Sequence, residues 1–272
     1  MVRQFKYAKS THAPLSKNAL HKFAAKHAIG LFNIASVYTY IPKNVCSTFR
    51  YSAAISNGVL REGDDPNWIH KNNETFNPTL EYLVTAAYTF TVLRCPYRRI
   101  ASAFLNKVVD TEIGPKYTLP ISFAGRVKRK VVKDEYYKDL SFKEFCKILK
   151  GLEHAEFEKH WRPQTYFLLY EDYDDYFCVE DLGTAVVKLA EVGFAVHDTR
   201  KHLKHDTSHY EKAGGAFSET NVGEIREMKA GGSLPSYESL FDDETKALID
   251  GIYKDDLDLY DAHFAPDLKL FH

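Results

Sequence analysis

Apolar positions in this 272-residue chain gather into short runs of β-branched and aromatic residues, separated by segments whose apolar residues recur at helical spacing. Ala28 to Ile41 is the most apolar stretch and reads as one buried strand that stops at Pro42; it contains Asn33 and is too short to span a bilayer. A helix is predicted from Ser47 to the Asn57-Gly58 pair. Thr89 to Leu93 is a second strand, closed by Arg94, because Pro96 forbids its continuation. Tyr97 to Val109 then carries Ile100, Ala103, Phe104 and Val108 on one helical stripe, with Ser102 off it.

Further along, Ser141 and Glu144 mark a capped helix to Leu149, and Thr165 to Tyr170 reads as a strand or a buried helix end. Tyr176 to Val179 is a strand, Leu182 to Val192 a helix stopped by Gly193, and Asp243 to His263 one closing helix. Strands alternating with helices predict an α/β fold, a single domain with a central parallel sheet flanked by helices. Residues 1–27 are basic and irregular, an extension before a domain over 28–272. Arg61 to Pro78, Asp110 to Asp139 and His197 to Pro235 are polar, turn-rich connections.

A hydrophobic content of 44% is ample for a core. With 36 basic and 37 acidic residues, net charge −1 gives no global attraction to nucleic acid or an anionic membrane. Any anion site is therefore local. Cys46, Cys95, Cys146 and Cys178 are widely separated and form no Cys-x-x-Cys pair, so they read as free thiols in a reducing compartment, with a Cys46–Cys95 bond conceivable if both loops line one pocket. No leader pattern opens the chain, which makes a soluble, cytoplasmic, bacterial-type protein the expectation.

Two segments carry the chemistry. In the first, Pro42-Lys43-Asn44-Val45-Cys46-Ser47-Thr48 places a lysine and two hydroxyls where a strand gives way to a helix, and helix-start amides complete an anion cradle. In the second, Arg94 ends a strand and Ser102 lies about two turns into the next helix, so the two can grip one phosphate together. Nothing fits the glycine-rich loop of nucleoside triphosphatases, and no acidic magnesium ligand is evident; a kinase-like phosphotransferase is the alternative enzyme reading. Taken alone, Lys43 reads equally well as a solvated loop lysine, and Arg94 as a strand-end arginine paired with a carboxylate.

These segments resemble the cofactor motifs of sulfotransferases that use 3'-phosphoadenosine 5'-phosphosulfate (PAPS), and most closely the carbohydrate branch, sulfotransferase family 2, which includes the chondroitin 4-O-sulfotransferases. His160-Trp161-Arg162-Pro163-Gln164, Tyr176 to Leu182 and Tyr253 to Tyr260 extend the resemblance from about residue 34 onward. The departures are Val45-Cys46, where a small residue or glycine is usual, and Cys95, where an acidic residue or lysine is usual. The resemblance implies a P-loop-like sulfotransferase fold and transfer of a sulfuryl group from PAPS to a saccharide hydroxyl, releasing PAP without a metal. It assigns Lys43, Asn44, Cys46, Ser47, Thr48, Arg94, Ser102 and His202 to the cofactor, with Lys43 stabilising the leaving oxygen. It also allows a trimmed Golgi-lumen domain, and a degenerate member that binds nucleotide or glycan without turnover.

For the acceptor hydroxyl, a base titrating near neutrality makes histidine the first suspect. His70 is that candidate, beside His160 and the carboxylates Glu62, Asp64 and Glu74. His160 and the basic run at Arg126, Lys128 and Arg129 are candidate acceptor contacts, the run being equally readable as a solvated loop. His197, His202, His205 and His209 match no metal-ligand spacing. The acceptor's identity, the sulfated position and the oligomeric state are not encoded in any of these patterns.

Overall fold

A computed structural model of the chain describes residues 2–72, 74–110, 121–123, 126–128, 138–199, 207 and 209–272. In chain order its regular elements begin with α1 (Ala19–Ala25), β1 (Ala28–Leu31), β2 (Ser36–Thr39), α2 (Cys46–Ser56), α3 (Trp68–Lys71), α4 (Leu80–Thr85), β3 (Tyr88–Leu93) and α5 (Pro96–Phe104). They continue with β4 (Ile121–Phe123), β5 (Arg126–Lys128), α6 (Phe142–Lys150), β6 (Asp175–Cys178), α7 (Leu182–Glu191), β7 (Glu211–Ala213), α8 (Val222–Ala230), β8 (Ser233–Pro235), α9 (Asp243–Ile252) and α10 (Lys254–His263). The chain divides into two compact units, Met1–Arg94 with Gln164–Lys204, and Cys95–Pro163 with His205–His272.

The first unit is built on a sheet of order β1-β2-β3-β6. β2, β3 and β6 run parallel, with Tyr38 opposite Phe90 and Val92 opposite Phe177. Alternation along β3 sends Phe90 and Val92 to one face, where they meet Tyr38, Phe49 and Ala53 of α2, Ala185 and Leu189 of α7, and Phe194. Tyr38 stacks on Phe90 at 4.9 Å. The buried threonines Thr39, Thr89 and Thr91 are satisfied within the unit, Thr91 donating to the Thr39 carbonyl at 2.9 Å and Tyr173 donating to the Thr39 hydroxyl at 2.8 Å.

Two expectations change here. Residues 28–41 form a hairpin rather than one strand, β1 pairing antiparallel with β2, so the sheet is mixed. Phe32–Ile34 make a 3₁₀ turn and Ala35 is left-handed at φ 50°. Distant side chains hold this turn: Asn57 accepts from the Phe32 amide at 2.8 Å, and Tyr82 donates to the Leu31 carbonyl at 2.9 Å. A Cβ at Gly30 would lie 2.6 Å from the Phe32 ring, so a larger residue there would push that half-exposed ring aside. The N-terminal stretch is also ordered into the unit, α1 being capped by Asn18 and Phe5 bridging to Tyr170.

In the second unit, α6 carries the full capping box, Ser141 accepting from the Glu144 amide while Glu144 accepts from the Ser141 amide. Phe104, Phe142, Phe145 and Trp161 form its fully buried aromatic core. The single closing helix of the sequence reading is two, α9 and α10, broken at Tyr253. Tyr253 is buried and donates to the Trp161 carbonyl at 2.6 Å, while Asp255 and Asp256 in the following turn favour a new helix N-terminus.

Candidate cofactor site

The lysine loop joins β2 to α2 inside the first unit. Its backbone is unusual, since Lys43 and Val45 both have positive φ, 74° and 55°. Val45 occupies the N-cap position of α2 and offers no side-chain hydrogen bond, so the first-turn amides around Ser47 and Thr48 receive no side-chain cap from it. Lys43, Cys46 and Ser47 are half-buried, Asn44 and Thr48 buried.

Arg94 reaches this loop and donates from Nη1 to the Lys43 carbonyl at 2.9 Å. Gln164, 1% exposed, joins the two segments a second time. Its Oε1 accepts from the Asn44 side-chain amide at 2.6 Å and from the Arg94 amide at 3.0 Å, and its Nε2 donates to the Arg94 carbonyl at 2.9 Å. Asn44 also donates to the Val92 carbonyl at 2.8 Å. Asn44 therefore faces its own scaffold through both of these bonds.

On α2, the Thr48 hydroxyl lies 3.2 Å from that of Thr199, and Ser52 accepts from the His197 amide at 2.8 Å. Buried Arg50, one turn beyond Ser47, lies over the Tyr40 ring at 5.0 Å and donates to the Ile69 carbonyl. Burial pushes the Tyr38 phenol well up, Cys46 adds to this, and Arg50 opposes it. His70 is exposed on α3, and Glu62, Asp64 and Glu74 are exposed in the segments that flank it; Glu62 lies 3.6 Å from His197 and Glu74 pairs with Lys26 at 3.2 Å.

In the second unit, Ser102 is half-buried on α5 among buried neighbours. Glu158 accepts from the His160 amide at 2.7 Å and lies 2.8 Å from its Nδ1. Burial raises the Glu158 pKa, but its bonds to His160 win and hold it below the usual carboxylate value. Arg126 and Lys128 are on β5, paired with β4. Arg129 and His202 lie outside the described residues. All four cysteines are free. Among the described residues, no cluster of His, Cys, Asp or Glu is placed to hold a metal ion, and no helix is long and apolar enough to cross a membrane.

Three residues with a part in this geometry were given no role by the sequence reading. Gln164 follows a proline inside a segment notable for its His-Trp pair, Arg50 occupies an interior helix position, and Thr199 sits in a polar connection. None is flagged by spacing, and each acquires its role through a contact more than a dozen residues away in the chain.

A mostly parallel sheet whose helix-start lysine loop is tied to a strand-end arginine makes this an α/β protein with the lysine-loop and arginine segments joined in one unit. The family model for the Sulfotransferase family matches residues 35–264, and the chain belongs to that family. Sulfuryl transfer is accordingly its class of chemistry. No curated protein and no solved structure matches the chain.

Proposed function

We propose that the chain moves the sulfuryl group of PAPS onto a hydroxyl of a saccharide or polysaccharide, in line, leaving PAP. The observation that carries this reading is the Arg94–Lys43 junction, because it sets two cationic residues and an uncapped helix start beside one another in one unit. That donor set fits phosphate and sulfate oxygens, which only accept hydrogen bonds.

Bound PAPS supplies the electrophilic sulfur. The Lys43 ammonium stabilises charge growing on the bridging oxygen, while the Ser47 and Thr48 hydroxyls and the α2 amides hold the 5'-phosphate. Cys46 and Asn44 shape that loop. Arg94, with Ser102 eight residues on, is assigned the 3'-phosphate, and His202 is assigned a contact to the nucleotide. His70 takes the acceptor proton, with Glu62, Asp64 and Glu74 as the carboxylates that can replace it. His160, Arg126, Lys128 and Arg129 face the acceptor saccharide.

Calorimetric titration with PAP, against ATP with magnesium, tests the cofactor class. Tight PAP binding with little response to ATP is expected; a preference for ATP with magnesium overturns the reading in favour of a phosphotransferase.

A further inference from the structure

Hydrogen-bond polarity makes the Gln164 network unambiguous. The Val92 carbonyl can only accept, so the Asn44 group beside it is the NH₂. The Gln164 atom facing that NH₂ is therefore the oxygen, which also takes the Arg94 amide hydrogen. This leaves the Gln164 NH₂ toward the Arg94 carbonyl, again an acceptor. These contacts agree on one orientation, and the residue is 1% exposed, so water does not compete. Both segments it grips lead straight into ligand-facing groups: Asn44 is flanked by Lys43 and two residues from Cys46, and Arg94 is itself one of the cations.

We propose that Gln164 is a positioning residue that fixes the spacing of the lysine loop and the Arg94 strand end, and thereby the affinity for a nucleotide carrying two phosphates. The role rests on the cofactor reading above. Gln164 touches the Asn44 side chain and the Arg94 backbone, so it acts on both segments without touching the Lys43 ammonium or the Arg94 guanidinium. Without it, the lysine loop keeps its positive-φ backbone and the Asn44 bond to the Val92 carbonyl but loses the side chain that joins Asn44 directly to the Arg94 backbone.

The test compares wild-type protein with Gln164→Glu and Gln164→Leu. Glutamate keeps the acceptor toward Asn44 but sets a carboxylate oxygen against the Arg94 carbonyl; leucine removes every bond. Calorimetry should find PAP bound about tenfold or more weakly by folded variants. Hydrogen exchange without ligand should accelerate at residues 43–48 and at Arg94. Losses in PAP affinity from Asn44→Ala and Gln164→Leu should be sub-additive, which a general loss of stability does not produce. If the leucine variant does not fold, the glutamate variant decides. Folded variants with wild-type PAP affinity overturn the proposal. Wild-type protein that fails to bind PAP removes the cofactor reading instead, and exchange then decides the spacing role alone: local acceleration supports it and unchanged exchange overturns it.

Discussion

The Arg94 guanidinium donates to the Lys43 main-chain carbonyl at 2.9 Å, so two residues 51 positions apart in sequence share one hydrogen bond at the mouth of the lysine loop. The bond engages Lys43 through its backbone and not through its ammonium group. Substituting either side chain therefore tests a different part of the site.

Lys43→Ala should fold normally, because the Arg94 bond is to backbone, and should lower the transfer rate about 10²- to 10³-fold, the scale for losing one preorganised charge-stabilising donor. Single-turnover transfer from PAPS, alongside circular dichroism, checks both halves. Arg94→Ala should instead weaken PAP binding by about tenfold or more, read by calorimetry.

Val45 holds a β-branched side chain at φ 55°. A left-handed backbone costs a residue with a Cβ about 1–2 kcal/mol, partly offset by the unfolded-state entropy of glycine. Val45→Gly should leave the fold intact and stabilise it by up to about 1 kcal/mol, and urea denaturation measures the change. Destabilisation would mean that Val45 packing outweighs its backbone strain.

Phe145 and Trp161 meet edge to face at 5.6 Å, both fully buried in the second unit. Phe145→Ala removes one wall of that contact and should cost about 3–5 kcal/mol of stability, seen as a large fall in the thermal midpoint. Loss below about 1 kcal/mol would mean the site collapses around the gap.

Burial raises the Asp242 pKa, but the Lys143 ion pair at 2.7 Å, the Thr245 amide and the Ser218 and Thr245 hydroxyls outweigh it and hold the carboxyl well below its usual range. A depressed folded pKa contributes stability that is present above the unfolded value, about pH 4, and is lost as pH falls through the folded one. The stability gap between wild type and Asp242→Asn should accordingly be full near neutrality and shrink steadily below about pH 4 in thermal scans. A gap independent of pH would show that the carboxylate's charge is not what stabilises this corner.

Reversing charge at Lys128 and Arg129 should raise the Michaelis constant for a saccharide acceptor while leaving PAP affinity unchanged. Unaltered acceptor kinetics would identify the basic run as a solvated loop.

By itself the sequence determined several local elements and the class of chemistry, sulfuryl transfer. Ser141 with Glu144 defines a capped helix whatever it packs against, Pro96 sets a helix start, and the Lys43 to Thr48 and Arg94 to Ser102 segments carry the residue types and intervals that resemble the family's motifs. These signals are local, written in residues a few positions apart. Only the tertiary structure decided that residues 28–41 fold back as a hairpin, because Asn57 and Tyr82 hold the turn, and that the closing helix breaks at Tyr253, because its hydroxyl reaches the Trp161 carbonyl. It decided likewise that Gln164 joins Asn44 to Arg94. A buried polar side chain takes its meaning from the unpaired donors and acceptors around it, and the fold brings those together from 120 and 70 residues away.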